Sequence, residues 1–133
     1  MSASWALQQA AFAALSASDA MKEAFGDPPR VFDVPPRTAA FPYCAIGDDG
    51  VRDWSTATDR GSEHALLVHV WSRANGHKEA KLGAEAVRGA LDGADLAVDG
   101  LIDIRHLATD FARDSDGETI RATVKFRAVM EEQ

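Results

Sequence analysis

The clearest pattern in the chain lies near its end, where Ile120, Ala122, Val124, Phe126, Ala128 and Met130 alternate with Arg121, Thr123, Lys125, Arg127 and Val129. Period-two alternation is the mark of a strand with one face buried and one face open. The preceding stretch, "GLIDIRHLATDFA", reads as its antiparallel neighbour, joined to it through the turn "RDSDGE". At the other end of the chain the period changes. From Trp5 to Phe25 the large apolar residues fall at 5, 12, 15, 21 and 25, mostly steps of seven, three and four, and predict one face of a helix. Ser16, Ser18 and Asp19 are good N-cap types and predict a break into a long and a short helix. Gly26 and the pairs Pro28–Pro29 and Pro35–Pro36 stop the helix and predict an extended crossing, with at most a short strand at "VFD".

Between these ends, "YCAIG" predicts a strand running into a turn at "DDG", residues 48 to 50, followed by "VRDWS", a polar loop "TATDRG" and the strand "HALLVHVWSR". Asn75 is placed to cap a helix from Gly76 to about Leu91, with Leu82, Ala86 and Ala90 in one row and Val87 and Leu91 widening it. Lys81, Glu85 and Arg88 are spaced to pair on its wet side. Gly83 and Gly89 each cost a helix about 1 kcal/mol relative to alanine, so both predict close approach to a sheet. "LDGADL" after the helix reads as a turn. The expected fold class is therefore α+β: a mostly antiparallel sheet of four to five strands with two main helices packed on one face. Residues 1–133 are expected to form a single domain, with no internal repeat or linker.

Strand geometry sorts the histidines. His64 and His69 are five residues apart and project to opposite faces of one strand, so they cannot share a metal there. His69 goes with Ala65, Leu67 and Trp71, and His64 with Leu66, Val68 and Val70. A strand apolar on both sides is covered twice, and the second cover is either a loop of this chain or a partner subunit. A packed, hydrogen-bonded imidazole is the expectation for His69, with interface contact as the functional alternative. His77 at a helix start and His106 in a strand read as neutral imidazoles without metal-site companions. "RDSDGE" resembles part of a calcium loop, but Ala112 and Thr123 stand where oxygen ligands would be needed, so it reads as a turn with Gly117 at positive φ.

The sequence contains no Gly-rich phosphate loop, no G-x-S-x-G and no H-E-x-x-H. Cys44, the only cysteine, lies in an apolar strand where a thiol acts as a small hydrophobe; one cysteine allows neither an internal disulfide nor a cysteine metal cluster. No catalytic residue, metal ligand or cofactor is assigned, and the expectation is a protein that is not an enzyme. The enzyme alternative is a small metal-dependent hydrolase using His64, His69 or His106. With 46% hydrophobic and 26% charged residues the mixture is that of an ordinary globular domain; no membrane span fits, and no basic stretch precedes the apolar start as export would need.

Fourteen basic against twenty-one acidic side chains argue against a general nucleic-acid binder. A local basic face remains: Arg121, Lys125 and Arg127 on the last strand, with Arg105 and Arg113 as neighbours. It is either a solvated sheet face or a contact surface, and the overall acidity favours a protein over DNA. Trp54, flanked by Arg52, Asp53 and Arg60 in a polar loop, has the composition of an interface anchor or packs back on its own domain. The interface candidates are thus Arg52, Asp53, Trp54, Arg60, His69 and Trp71.

The proline-aromatic pair of "FPYCAIG", the "DWST" loop, the "HVWSR" strand and the "GHKEA" helix start, in this order and spacing, resemble the tail-completion or tail-terminator family of long-tailed phages and of the gene transfer agents of α-proteobacteria. The helix "ALQQAAFAALSAS" and the crossing "VFDVPPR" extend the likeness over nearly the whole chain. Cys44 departs from the usual aliphatic residue of its strand without disturbing the fold. The resemblance implies a subunit of a hexameric ring that caps the head-proximal end of the tail tube, stops its polymerisation and joins the tail to the head connector or stopper. The implied partners are sister copies, the tube protein and the connector, with passing contact with DNA left open and no membrane. Synthesis is expected in the bacterial cytoplasm and assembly at the head-tail junction. A head-completion adaptor of the same particle is the nearest alternative. The family brings no catalytic motif.

Overall fold

A computed structural model describes residues 2–53, 55, 60–74 and 76–131, and of residues 48 and 49 the backbone alone. The order is α1 (Ala3–Ala17), α2 (Asp19–Phe25), β1 (Val31–Phe32), β2 (Tyr43–Asp53), β3 (Gly61–Ser72), α3 (Lys78–Leu91), β4 (Leu101–Arg113) and β5 (Ile120–Glu131). The five strands form one sheet in the order β1-β2-β3-β5-β4. β1 runs parallel to β2 and every other pairing is antiparallel. The last strand of the chain thus inserts between β3 and β4. The fold is α+β, as the periodicities indicate.

The N-terminal helix breaks where its serines predict. The Ser2 hydroxyl accepts from the Trp5 N–H and caps α1, and the Ser18 hydroxyl accepts from the Met21 N–H and opens α2. α1 faces the sheet with Leu7, Ala11 and Leu15, so Trp5 and Phe12 point outward despite their helical spacing. Leu7, Leu15, Met21 and Phe25 pack with Val87 and Leu91 of α3 against Leu66, Val68, Val70, Ile104, Val124 and Phe126 of the sheet. All three helices therefore cover one face, the inner face, and the other is left to the strands.

α3 differs in detail from its sequence reading. It begins at Lys78 behind the N-cap His77, and Asn75 lies outside the described residues. It buries Ala80, Ala84, Val87 and Leu91 together with the expected Ala86, while Leu82 is 59% exposed. Small residues win these positions because the helix sits close to its neighbours. A Cβ at Gly83 would meet Phe25 Cζ at 2.9 Å and Val70 Cγ1 at 3.1 Å, whereas one at Gly89 would meet nothing within 4 Å. Close approach is thus right for Gly83 and wrong for Gly89. Gly83→Ala is expected to lower stability by about 1–2 kcal/mol, because overpacking of a filled core outweighs the gain in helix propensity. Gly89→Ala should raise it by about 0.5–1 kcal/mol, and denaturant titration of both variants checks the opposite signs. On the wet side Arg88 pairs with Asp92 at 3.9 Å, and the Lys81 ammonium sits 5.3 Å from the Phe111 ring centroid.

"DDG" is not a hairpin turn. β2 continues through it, with Gly47 opposite Leu67 and Gly50 opposite Ala65, so β2 spends three residues where β3 spends two. The extra residue is absorbed as a bulge. Two more bulges lie in β4, between Leu101 and Asp103 and between His106 and Ala108. They extrude Ile102 and Leu107, which are 59% and 60% exposed. The turn at 114–118 forms as expected, with Gly117 at φ 75°. The Asp116 carboxylate accepts from the N–H groups of Thr119 and Glu118 and from the Thr119 hydroxyl. The bond from the Thr119 N–H leads these in holding its pKa down at about 2.

Candidate functional site

β3 and β5 carry the two outward rows of the open sheet face, and their register places them side by side. Trp71 lies opposite Arg121, His69 opposite Thr123, Leu67 opposite Lys125 and Ala65 opposite Arg127; across β5, Arg105 lies opposite Arg127. The proposed interface residues His69 and Trp71 and the basic residues Arg105, Arg121, Lys125 and Arg127 therefore share one surface. Arg113 does not belong to it: it pairs in register with the buried Ile120, on the inner side, and donates to the Gly117 carbonyl.

An aromatic ladder closes one end of this face. Tyr43 stacks on Trp71 with ring centroids 5.1 Å apart and planes 24° apart, and Trp71 leans on His69 at 5.6 Å. Phe41 and Phe32 meet the other side of Tyr43 at 5.1 and 6.0 Å. The Arg73 guanidinium lies 4.5 Å from the Phe41 centroid. The extended crossing thus supplies part of the second cover for β3, and Trp71 and Leu67 stay half-buried while Ala65 is exposed. Burial raises the Tyr43 phenol pKa, with Arg73 pulling it down and Asp114 adding to the rise.

The basic row is largely neutralised within the chain. Arg127 Nε holds Glu63 Oε2 at 2.8 Å, Lys125 Nζ approaches Asp110 Oδ2 at 3.5 Å, and Arg105 Nε meets Asp103 Oδ1 at 3.0 Å. Arg121 is exposed and has no ion pair among the described residues. Such a surface, with an aromatic ladder at one end and mostly paired charges along the neighbouring strand, resembles a protein-binding patch more than a track for phosphates.

The remaining candidates lie elsewhere. Asp53 pairs with Ser62, nine residues along β3 from Trp71, which is roughly 30 Å at strand rise. Arg52, Asp53 and the exposed Arg60 therefore belong to the far end of the β2–β3 hairpin, and Trp54 lies outside the described residues. The Asp53 carboxylate accepts from the Ser55 N–H at 3.0 Å. The structure thus divides the five described interface candidates between two ends.

The histidines do not converge. His69 Nδ1 is 3.1 Å from the Thr123 hydroxyl on the outer face, while the buried His64 sits with its Nε2 2.8 Å from the Ser62 hydroxyl. His106 is half-buried: its Nε2 lies 2.7 Å from the Thr109 hydroxyl and its ring meets Phe126 edge-on at 5.8 Å. Its backbone N–H donates to Asp92, a helix-to-strand tie that no sequence spacing advertised. Among the described residues no three His, Cys, Asp or Glu side chains gather as metal ligands would. Cys44 is fully buried, and burial pushes its thiol up to about 12. The thiol is expected to resist iodoacetamide at pH 8 in the folded protein and to react once urea unfolds it. Because the folded value is raised, its contribution to stability is intact below the unfolded value near 9 and is lost as pH climbs towards 12.

Sequence reasoning missed two outward features: the aromatic pair on α1 and the bulged residues of β4. Trp5, Phe12 and Ile46 line a groove of about 370 Å³ beside Asp33, and Gln8 donates to Asp33 at 3.0 Å. The spacing of Trp5 and Phe12 was visible, but not which face it marked.

Residues 9–131 match the protein family described as Tail completion protein gp17. Among solved structures, the chain is similar to one from the virion of a native gene transfer agent particle, at 31% identity and a TM-score of 0.86 over 95% of both chains. It also shares its fold with the gp17 protein of bacteriophage SPP1, at 22% identity and a TM-score of 0.64 over 96% of this chain and 91% of that one. No curated protein matches the sequence.

Proposed function

The chain belongs to the family of tail completion protein gp17, structural proteins of phage-like particles, and on that premise we propose that it is one subunit of a hexameric ring capping the head-proximal end of a tail tube. The ring ends tube polymerisation by shape. One of its surfaces satisfies the last layer of the tube, and the opposite surface offers no further tube-binding edge but seats the head connector or stopper. The chain is then made in the bacterial cytoplasm and works at the head-tail junction.

The observation that carries this reading is the open sheet face. Its Tyr43–Trp71–His69 ladder and half-buried Leu67 form a firm apolar platform, and its charges are mostly spent within the chain. Such a platform favours a protein partner in the particle, with any DNA contact confined to passage. Arg52, Asp53 and Arg60, at the far end of the hairpin, together with Trp54, which follows Asp53 in sequence, are the proposed contact with a sister subunit or with the tube.

A reconstruction of the particle tests the proposal directly. Six copies are expected in one layer between the tube and the connector, and light scattering should give the same mass for any ring formed by the isolated chain. Copies on the head side of the connector would make the protein a head-completion adaptor, and a layer of other stoichiometry would overturn the hexamer.

A further inference from the structure

Beside the aromatic ladder and along β5, the basic side chains of the outer face bring their own counter-charges, with one exception. Arg73 lies 3.6 Å from Asp116, Lys125 3.5 Å from Asp110 and Arg127 2.8 Å from Glu63. Arg121 is exposed, and its guanidinium has no hydrogen bond, ion pair or ring contact among the described residues. Its surroundings give the reason. Trp71 stands opposite it on β3 and Ala112 opposite it on β4. The outward acid of β4, Asp110, lies opposite Thr123 and is taken by Lys125. Arg73, two residues beyond Trp71, is occupied with the Phe41 ring and Asp116.

In the free subunit this arrangement costs nothing, because water solvates the guanidinium. Docking changes that. Directly opposed side chains of antiparallel strands have Cβ atoms about 5 Å apart, so a protein that covers Trp71 also covers Arg121. The other bases enter such an interface with their carboxylates beside them. Arg121 would enter alone, and a desolvated, unpaired charge opposes binding strongly. A partner that fits must therefore place an opposite charge over it. A carboxylate matches the planar guanidinium fork with two parallel hydrogen bonds.

A nucleic-acid backbone is the poorer match. It carries a phosphate at every step, and beyond Arg121 it would meet Asp110 and Asp116 beside cations already paired.

We infer that the partner docked on the outer face is another protein of the particle, carrying an aspartate or glutamate that pairs with Arg121 beside the Trp71 ring. The pair fixes the register of docking and selects the partner. This rests on the reading of the outer face as the docking platform and supplies the chemistry of that contact.

The test compares Arg121→Met, Arg121→Lys and Arg121→Glu with the parent chain in assembling particles, scored by electron microscopy as heads joined to tails. Because the side chain is exposed, thermal unfolding of the purified variants should be unchanged. Arg121→Met is expected to impair joining, since it strands the partner's carboxylate; if no carboxylate faced this site, the same change would remove a desolvation cost, and joining as good as the parent's or better would overturn the inference. Arg121→Glu should lower joining by about tenfold or more, with Arg121→Lys between it and the parent. Selection for restored joining in the Arg121→Glu background is expected to return an Asp or Glu changed to Lys or Arg in another particle protein. Restoring changes confined to this chain would place a sister copy there, and a defect seen only in DNA-filled particles would point to phosphate; either overturns the assignment. Trp71→Ala tells the two ideas apart. If it blocks joining while Arg121→Met does not, the platform stands and the carboxylate falls; if it joins normally, the platform reading itself falls.

Discussion

Replacing Trp71 with alanine is expected to leave a folded chain that no longer completes particles. In the isolated subunit Trp71 is half-buried on the outer face, held chiefly by its stack on Tyr43. An aromatic pair adds about 0.5–1.5 kcal/mol beyond its buried area, a modest part of the roughly 5–15 kcal/mol that stabilises a domain. Its inner neighbours Val70 and Ser72 belong to the opposite face and keep their packing. At an interface the same side chain counts for more. A central tryptophan truncated to alanine commonly costs 2 kcal/mol or more, which is roughly thirtyfold in affinity for each contact, and in a ring the loss is repeated at every subunit. Thermal unfolding should shift by a few degrees while assembly into particles falls by more than tenfold. If the variant assembled normally, the outer face would lose its place as the docking platform.

Phe126→Ala is expected to be the most destabilising single change, at about 3–5 kcal/mol. Phe126 is fully buried near the middle of β5, the strand between β3 and β4, with Leu66 opposite it on one side and His106 on the other. The cavity would open where the helices meet the sheet, and neither neighbouring strand can close it without breaking register. A loss of that size removes much of the margin of a small domain, so the variant should be largely unfolded at 37 °C. Phe126→Leu keeps most of the volume and should cost clearly less. Urea titrations of the two variants check the ranking through their midpoints at equal slope. An alanine variant as stable as the leucine one would mean that the core does not centre on β5.

Much of this architecture was legible along the chain because the forces that create a pattern act locally. The alternation in β5 reports which side of each pleat is buried, and the opposite projection of His64 and His69 follows from the same two-residue period. Ser18, Gly117 and the prolines of the crossing mark where the backbone changes direction, through caps and dihedral preferences that need no distant partner. The candidate surface was legible in pieces. His69 and Trp71 on one strand and the basic row on another could each be recognised, but not their meeting on one face.

That meeting belongs to the tertiary structure. β5 inserts between β3 and β4, so Arg121 comes to lie beside Trp71, and no local rule dictates strand order. The same holds for the "DDG" bulge, a turn by composition that stays in the sheet because the residues on both sides pair with one partner strand. It holds also for α1, where Leu7, Ala11 and Leu15 took the core and left Trp5 and Phe12 outside. Residue order alone determined most of the helices and strands and the two faces of β3 and β5, since those follow from dihedrals and burial within a few residues. Only the folded chain decided which faces adjoin and which edges stay open, because that choice is made by register and close packing between segments far apart in sequence.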